Sequence, residues 1–453
     1  MDWRLHSVLP GIAWPAVPSP HGAAALALVY QLEQSQWLPP ERLAELQMRQ
    51  LTAVLQHAHQ HVPYYRDLWG TGFDAAASAS AAGLAALPVL TRRDLMENYE
   101  RLKSESIPRE HGKTTEVRTS GSTGSPVRVL KTQLSQLFWN ALTLRDHRWH
   151  GRDLSGKLAV IRHGVREGSA PSWGIATEGV LVTGPAVNLG AGTDIGDQLD
   201  WLQREQPDYL LTYPSNAAAL ARLSLERGVR LQRLREVRAL GEMLAADVRE
   251  ACRAAWGVPL VDMYSANEVG YVALQCPRHE HYHVQMEGVL VEVLDGSGRP
   301  CAPGETGRLV VTDLQNLGTP LVRYEIADYA EVGGPCACGR GLPVLSRIAG
   351  RVRNMLVTAD GKRYWPLLGS RRFIEVAPVL QHQVVQKSYQ LLEVRLVTAA
   401  PLDASQEARL REMILAAMPP GMQLVFRYLD DIPRGMGGKF EDFVSEVPSA
   451  AAR

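Results

Sequence analysis

Short apolar runs alternate with helix-like stretches through the middle of this chain, and that alternation constrains its fold more than any other feature. Runs typical of strands lie at Leu158–Ile161, Leu181–Val187 and Tyr209–Thr212, while Asn216–Arg227 and Ala245–Ala255 have helical character. Strands that alternate with helices build layered α/β domains. We therefore predict an α/β fold for the larger part of the chain.

The chain changes character towards its C-terminal end. Val289–Leu294 and Arg308–Thr312, separated by a segment that opens with Asp295-Gly296-Ser297-Gly298, predict neighbouring strands of a β-rich subdomain. From Gly350 onward the chain has its own helix and strand candidates: Ser405–Met418, Gln381–Val385, Leu391–Leu396 and Leu424–Tyr428. We predict two domains, a large one over residues 1–349 and a small α+β domain over residues 350–453.

Composition excludes several classes of function. The 453 residues contain 48 Lys and Arg against 48 Asp and Glu, so the formal net charge is 0, which argues against electrostatic binding to nucleic acid or to an acidic membrane surface. The longest early apolar stretch, Ala23–Tyr30, is far shorter than the roughly 20 residues of a membrane-spanning helix, and no basic segment of a signal peptide precedes it. We expect a soluble cytoplasmic protein without a nucleic-acid or membrane partner.

The most informative motif is Thr119-Ser120-Gly121-Ser122-Thr123-Gly124-Ser125-Pro126, in which hydroxyl residues and glycines alternate. Such a loop can wrap phosphates, because glycines let backbone N–H groups approach an anion and the hydroxyls add neutral donors. The alternative is a flexible Ser/Gly linker. The Gly-Lys-Ser/Thr ending of a Walker A loop is missing, which disfavours a P-loop kinase or ATPase.

At this loop the sequence resembles the adenylate-forming superfamily, which contains acyl-CoA synthetases, peptide-synthetase adenylation domains and luciferases. Further motifs follow in the order usual for that family. Gly241-Glu242-Met243-Leu244 resembles the loop beside the adenine, with Met243 in place of the usual proline. Tyr264-Ser265-Ala266-Asn267-Glu268 resembles the motif whose aromatic ring packs on adenine and whose glutamate holds Mg²⁺.

Three later motifs extend the resemblance. Tyr324-Glu325-Ile326-Ala327-Asp328 is similar to the motif whose aspartate accepts hydrogen bonds from the ribose hydroxyls. Gly350-Arg351-Val352-Arg353-Asn354 resembles the hinge motif, with Arg351 in the nucleotide-contacting place and Asn354 where an aspartate or lysine hinge is usual. Pro433-Arg434-Gly435-Met436-Gly437-Gly438-Lys439 resembles the terminal motif that carries the catalytic lysine.

The resemblance implies a fold and a set of site residues. The fold is a large multi-layer N-terminal adenylate-forming domain with a β subdomain, followed by a small, mobile C-terminal domain that alternates between two half-reactions. Lys439 and Glu268 are the implied catalytic residues. The residues implied to bind the nucleotide are Thr119, Ser120, Gly121, Ser122, Thr123, Gly124, Gly241, Glu242, Tyr264, Asp328 and Arg351. Taken singly, Asp328 or Tyr264 would more often be a turn or core residue than a ligand contact.

The implied chemistry is the activation of a carboxylic acid by ATP. A carboxylate is a poor acyl donor, and attack on the α-phosphate of ATP turns it into acyl-AMP with release of pyrophosphate. No general base is required because the nucleophile is already ionised, so the main task is charge stabilisation. The hydroxyl-rich loop, Mg²⁺ on Glu268 and the ammonium of Lys439 would carry that task.

Within the superfamily the chain looks most like the phenylacetate-CoA ligase branch. Leu43–Tyr65, with its His61-Val62-Pro63-Tyr64-Tyr65 ending, and Leu87–Leu95 resemble N-terminal segments of that branch. Asp360–Pro366 departs from the usual pattern of the branch and resembles its members from biosynthetic gene clusters. The acyl acceptor is therefore open between coenzyme A, an acyl or peptidyl carrier protein and an amine.

Cysteines and histidines form a second constellation. Five cysteines in a chain of this length are too few for a disulfide scaffold, whereas thiolates and imidazoles are zinc ligands in closed, four-coordinate structural sites. We predict a structural Zn²⁺ on Cys276, His283, Cys336 and Cys338. His283 matches the histidine usual in the family, and His279 or His281 could replace it. The alternative is free cysteines beside a polar His-rich loop.

The acyl pocket is defined less sharply. In the branch, residues around Tyr213-Pro214-Ser215 and around Trp139-Asn140 lie near the substrate, and their aromatic character permits an aryl or otherwise flat acid. Both groups could equally belong to the core, and for Trp139 we expect the core. His163 could face the pocket or cap a strand. Two rival functions stay open, an amide-forming ligase and a catalytically silent nucleotide-binding scaffold, and the chain could form a homodimer.

Overall fold

The computed structural model describes residues 3–118, 127–351, 356–360, 363–364, 373, 375–432 and 440–447. Short and medium helices occupy its N-terminal part: α1 Pro20–Ser35, α2 Pro40–His61, α3 Pro63–Trp69, α4 Ala75–Ser78, α5 Ala81–Ala86, α6 Arg92–Glu97 and α7 Tyr99–Leu102. Prolines at the first helical positions start α1, α2 and α3, since their fixed φ suits a helix start and no N–H is lost there. None of the helices in the described part of the chain is long and apolar enough to cross a membrane.

A two-stranded hairpin and a long helix follow. Strands β1 Thr114–Arg118 and β2 Arg128–Thr132 pair antiparallel, with Thr115 opposite Lys131. Helix α8 Gln133–Trp149 begins directly after β2, where the Thr132 side chain accepts a hydrogen bond from the backbone N–H of Ser135. In the sequence, the Ser/Thr/Gly-rich segment 119–126 lies between these two strands.

A twelve-stranded sheet forms the centre of the molecule. Its strands are β3 Leu158–Arg162, β4 Gly168–Ala170, β5 Ala186–Gly190, β6 Tyr209–Thr212, β7 Glu236–Leu240, β8 Leu260–Ala266, β9 Gly270–Gln275, β10 Tyr282–Val284, β11 Val289–Leu294, β12 Thr306–Asp313, β13 Tyr324–Val332 and β14 Val344–Arg351. Their order across the sheet is β11-β12-β13-β14-β10-β9-β8-β7-β6-β3-β5-β4.

One half of this sheet is parallel. Strands β5, β3, β6, β7 and β8 run in the same direction, and the helices between them are α9 Ile195–Glu205, α10 Pro214–Glu226 and α11 Ala246–Trp256. Apolar side chains of both layers, such as Leu210, Val237 and Leu220, form one buried cluster. The predicted α/β alternation is confirmed here, because parallel strands need crossover helices that cover the sheet.

One predicted strand was misplaced. The sequence suggested Leu181–Val187, whereas β5 covers Ala186–Gly190. The stretch before β5 pairs with the N-terminal arm instead, since Val182 N–H donates to Arg4 O at 2.7 Å and Leu5 forms an isolated antiparallel bridge with Leu181. An apolar run gives no sign of which partner it will pair with.

The other half of the sheet is antiparallel, as the predicted β-rich subdomain required. Val289–Leu294 is a strand with the predicted bounds, and Arg308–Thr312 lies inside β12. Strands β11 to β14 pair in chain order.

The C-terminal part has a sheet and a core of its own. Its elements are β15 Leu356–Val357, β16 Arg363–Tyr364, β17 Val379–Gln386, β18 Leu391–Thr398, α12 Ala404–Ala416, β19 Gln423–Tyr428 and β20 Phe443–Ser445. Four of the strands form a sheet in the order β19-β18-β17-β20. Leu410 and Ile414 of α12 pack against this sheet in a separate apolar cluster. The predicted fold class is confirmed, while the division at residues 349 and 350 stays a prediction.

Candidate active site

The carboxyl ends of four parallel strands lie along one edge of the large sheet. His163 follows β3, Tyr213 follows β6, Gly241-Glu242 follows β7 and Glu268 lies in the turn after β8. Ligands of open α/β sheets bind at this edge, outside the carboxyl ends of the strands. The fold therefore brings several sequence-predicted residues to the expected side of the sheet.

Tyr264 and Asp328 form the clearest contact of the site. The hydroxyl of Tyr264, at the end of β8, donates a hydrogen bond to Oδ2 of Asp328 on β13 at 2.7 Å. Both side chains are partly buried. Two residues predicted to hold the adenosine part of a nucleotide, 64 positions apart, are thus direct neighbours.

Glu268 is a buried carboxylate beside this pair. The side chain is 7% exposed, and Oε1 accepts a hydrogen bond from the hydroxyl of Tyr324 at 3.4 Å. A buried carboxylate requires compensation by a cation or by hydrogen bonds. The position fits the predicted Mg²⁺ ligand, because carboxylate oxygen is the ligand type that this ion prefers.

Glu242 joins the sheet edge to the C-terminal part of the chain. It follows Gly241, whose φ of +78° favours glycine in this turn. One carboxylate oxygen accepts from the Ser215 N–H in the first turn of α10 at 3.0 Å, and the other accepts from the Phe440 N–H at 2.7 Å. Negative charge at a helix N-terminus is favourable, so the fold holds this carboxylate in place.

The residues predicted for the acyl pocket lie nearby, and most of them are buried. Tyr213 packs in the apolar cluster of the parallel half, and its hydroxyl accepts from the His163 N–H at 3.2 Å. Pro214 is the first residue of α10 and is buried. Trp139 packs at the edge of the main core with its ring 4.4 Å from that of Tyr271, as the core interpretation required.

Several predicted site residues lie outside the described part of the chain. These are Thr119, Ser120, Gly121, Ser122, Thr123, Gly124, Asn354 and Lys439. Arg351 is described through its backbone, which pairs with Asp328 between β13 and β14. The roles given to these residues stay predictions.

Three of the four predicted metal ligands converge at the far ends of β9, β10 and β13, together with His281 in place of Cys338. Cys276 follows β9, His281 and His283 flank Tyr282 at β10, and Cys336 lies in the loop after β13. Donor atoms of these four residues lie within 4.8 Å of one another. The Sγ atoms of Cys276 and Cys336 are 3.8 Å apart, and Nε2 of His281 is 3.0 Å from Sγ of Cys336.

Cys338 lies at the border of this cluster. Its Sγ is 3.4 Å from Nε2 of His283, while its backbone N–H donates to Sγ of Cys336 at 3.3 Å. Burial lowers the pKa of His283 to about 4, which keeps the imidazole neutral, as a metal ligand must be. Two sulfurs and two imidazole nitrogens, with Cys338 as a fifth donor, fit a tetrahedral zinc site. His279 stacks on His281 with ring centroids 5.1 Å apart.

Two further polar residues near this site were not among the site residues predicted from the sequence. They are Lys131 on β2 and Asp313 at the end of β12. The sequence gives one faint signal, the scarcity of lysine, since Lys131 is one of seven. Neither residue belongs to a recognisable motif, and the proximity of Lys131 to Asp313 and Glu268 depends on how the hairpin packs.

Comparisons with known proteins agree with this geometry. The family described as "AMP-binding enzyme" matches residues 99–317, and the family described as "CapK C-terminal domain" matches residues 356–446. The phenylacetate-coenzyme A ligase of Thermus thermophilus is 27% identical over 369 residues, which cover 78% of this chain and 80% of that protein.

Solved structures of acyl-CoA ligases have the same fold. A 2-hydroxyisobutyryl-CoA ligase in the postadenylation state, in complex with 2-HIB-AMP, gives a TM-score of 0.73 at 18% identity over 91% of this chain and 92% of that one. The same ligase in the thioesterification state, with 2-HIB-AMP and CoA, gives a TM-score of 0.60 at 20% identity over 91% of each chain.

Proposed function

Because the chain belongs to the adenylate-forming superfamily and is similar to its phenylacetate-CoA ligases, we propose that it is an acid–thiol ligase that activates a carboxylic acid with ATP. The acid would be transferred to the thiol of coenzyme A through an acyl-AMP intermediate. The observation that carries this proposal is the Tyr264–Asp328 contact beside buried Glu268, at the ligand-binding edge of the sheet.

The reaction has two balanced steps. In the first, a carboxylate oxygen attacks the α-phosphorus of ATP, the bond between the α-phosphorus and the bridging oxygen breaks, and pyrophosphate leaves. In the second, the thiolate of the acceptor attacks the acyl carbon and AMP leaves with the oxygen that came from the acid. Both steps move negative charge, so fixed donors and cations lower the barriers.

Different residues would bind different parts of the nucleotide. Asp328 would accept hydrogen bonds from the ribose hydroxyls, while the hydroxyl of Tyr264 holds that carboxylate in place and its ring packs on the adenine. Glu268 would hold Mg²⁺, which neutralises charge on the phosphates. The segment Thr119–Gly124 and Lys439 would contact the phosphates, as the resemblance implies, with Arg351 on the nucleotide and Asn354 at the hinge.

A structural Zn²⁺ completes the proposal. We assign it to Cys276, His283 and Cys336, with either the predicted Cys338 or His281 as the fourth ligand: Sγ of Cys338 lies 3.4 Å from Nε2 of His283, while His281 belongs to the group of mutually close donors. The backbone N–H of Cys338 points at Sγ of Cys336, which suits a thiolate. With four protein ligands, no coordination position stays open for substrate, so the ion would fasten β9, β10 and the loop after β13 to one another.

The test is product analysis with ATP, Mg²⁺ and a panel of aryl, aliphatic and amino acids. Each acid is offered with coenzyme A, with a carrier protein that has its phosphopantetheine arm, and with an amine. Acid-dependent AMP together with an acyl-CoA supports the proposal. Product with the amine alone would favour an amide ligase, and nucleotide binding without turnover on any acid would favour a silent scaffold. Transfer to a carrier protein, a homodimer and a cytoplasmic location stay further predictions.

A further inference from the structure

Lys131 is a cationic side chain close to the turn that carries Glu268. Lys131 lies on β2, and its side chain is partly buried. Its ammonium nitrogen lies 4.0 Å from the point that a Cβ on Gly270 would occupy, and Gly270 directly follows the turn that carries Glu268. Glycine at this position leaves the space in front of the ammonium open. The function proposed above assigns no task to this lysine.

The two residues that flank Lys131 in β2 are held by the turn that follows β12. The Leu130 N–H donates to Oγ1 of Thr319 at 3.0 Å, and the Thr132 N–H donates to Oδ1 of Asn316 at 3.3 Å. The backbone of Gly318 passes so close that a Cβ there would lie 2.4 Å from the carbonyl oxygen of Leu130. The residues that flank Lys131 are thereby attached to the turn that begins at Asp313, which makes the position of its side chain reproducible.

Two carboxylates lie close enough to interact with the ammonium. Burial lowers the pKa of Lys131, against the opposing effect of Asp313 and Glu268. Asp313 is fully buried, and Oδ1 accepts from the N–H groups of Gln315 and Asn316 at 3.1 and 3.2 Å. Its other oxygen, Oδ2, has no hydrogen-bond partner within the described residues. Burial raises the pKa of Asp313, and Lys131 opposes that shift.

The ammonium itself keeps free bonding capacity. Its interactions with Asp313 and Glu268 are those of nearby charges and include no direct hydrogen bond among the described residues. A lysine ammonium has three donors, and a partly buried one requires acceptors for them. Asp313 and Glu268 favour the charged form of the lysine against the effect of burial, and the donors of its ammonium are left for a ligand.

We propose that Lys131 is a second catalytic cation that binds an oxygen of the β- or γ-phosphate of ATP, and through it the leaving pyrophosphate. A phosphate is favoured over the acid substrate because β2 follows the predicted phosphate-binding segment in the sequence, and because the Lys131 ammonium lies 4.0 Å from the Cβ position of Gly270, two residues after Glu268, the predicted Mg²⁺ ligand. A compact ammonium is suited to this task as a fixed point charge. The inference rests on the proposed function.

Binding measurements separate the inference from that function. Nucleotide affinity is measured by calorimetry for ATP and for AMP, with Mg²⁺ present, in the wild type and in Lys131→Met. We expect ATP affinity to fall about 10- to 100-fold, as for the loss of a charge-assisted hydrogen bond, while AMP affinity changes less than about twofold. Unchanged AMP binding also shows that the variant is folded.

Two further variants serve as controls for Lys131→Met. Lys113→Met removes an exposed lysine just before the hairpin and should leave both affinities unchanged, whereas Lys131→Arg should restore part of the ATP affinity. Unchanged ATP affinity in Lys131→Met overturns the inference, and if the KM for the acid rises instead, the ammonium binds the carboxylate. If the wild type binds neither nucleotide, the proposed function itself fails and the inference with it.

Discussion

The carboxylate of Glu242 accepts a hydrogen bond from the backbone N–H of Phe440 at 2.7 Å, across 198 positions of the chain. Glu242 stands at the edge of the large sheet, and Phe440 lies in the C-terminal part, directly after Lys439 in the sequence. The second oxygen of Glu242 is held by the N-terminus of α10 through Ser215. One carboxylate thus attaches the C-terminal segment to the ligand-binding edge.

Replacing Glu242 should affect the first half-reaction more than the second. Because a hydrogen bond to a charged group contributes about 1.5–3 kcal/mol, we expect Glu242→Ala to lower acid-dependent pyrophosphate release about 10-fold or more. Thioester formation from added acyl-AMP should change less than about twofold. Glu412→Ala, at an exposed position on α12, is the matched control. Equal losses in both half-reactions would show that the contact between Glu242 and Phe440 is not specific to the adenylation step.

Removing one hydroxyl should weaken nucleotide binding. Tyr264→Phe keeps the ring but deletes the hydrogen bond to Asp328, so the carboxylate is no longer held in place for the ribose. We expect the KM for ATP to rise about 10-fold, with a smaller change in kcat, because a hydrogen bond to a charged group is lost. Steady-state kinetics at saturating acid measures it, and Tyr389→Phe at an exposed position serves as control. A normal KM for ATP would argue against a nucleotide at this pair.

The metal site can be tested by content and by stability. The purified protein should contain one equivalent of zinc per chain, and Cys336→Ser should lose it, since Sγ of Cys336 lies close to Cys276 and His281. We expect both the loss of zinc and chelation to lower the melting temperature, because the ion connects separate strands. Elemental analysis and thermal unfolding are the measurements, and full zinc retention in Cys336→Ser would contradict the assignment.

A matched pair of variants identifies the fourth ligand. Cys338→Ser and His281→Ala each remove one of the two competing donors around Cys336. If Cys338 is the ligand, its variant binds zinc at least 10-fold more weakly and His281→Ala retains the ion. The reverse pattern would give the position to His281.

A buried charge cluster beneath the sheet should be important for stability. Asp146 of α8 is fully buried and contacts Arg152 at 2.5 Å and Arg238 at 3.0 Å. Although burial alone would raise it, the two guanidinium groups hold the pKa of Asp146 below its ordinary value. We expect Asp146→Ala to lower the free energy of unfolding by about 3–5 kcal/mol, because buried Arg238 loses this ion pair and buried Arg152 is left with Glu236 alone.

Urea unfolding at neutral pH, followed by tryptophan fluorescence, measures that loss. Glu45→Ala removes one partner of an exposed ion pair with Arg42 and should change the free energy of unfolding by less than about 1 kcal/mol. A similarly small effect of Asp146→Ala would contradict the role given to the cluster.

The sequence predicted those parts of the fold that local pattern determines. The strand Val289–Leu294 has the expected bounds, because turn residues follow its end. Leu181–Val187 was misplaced because its partner is the N-terminal arm. Apolar periodicity carries information about burial and none about the strand or arm that provides the partner.

The candidate site could be predicted as a set of motifs but not as a set of contacts. Tyr264 and Asp328 belong to recognisable segments, yet the hydrogen bond between them depends on the order of the strands. Lys131 and Asp313 belong to no motif, and only the packing of the hairpin brings Lys131 near Asp313 and Glu268. For the metal site, sequence spacing alone could not decide whether His281 or Cys338 is the fourth ligand. His281 lies two residues from His283, and Cys338 lies two residues from Cys336, so both are equally close to another ligand in the sequence.

The most direct test of the central claim follows the oxygen of the acid. The acid that gives the greatest pyrophosphate release is labelled with ¹⁸O in its carboxylate and turned over with ATP and coenzyme A, and the AMP is examined by mass spectrometry. Attack of the carboxylate on the α-phosphorus predicts AMP that carries one ¹⁸O per turnover, with no label in inorganic phosphate. Unlabelled AMP, or label in phosphate with ADP as the nucleotide product, would contradict an acyl-AMP intermediate.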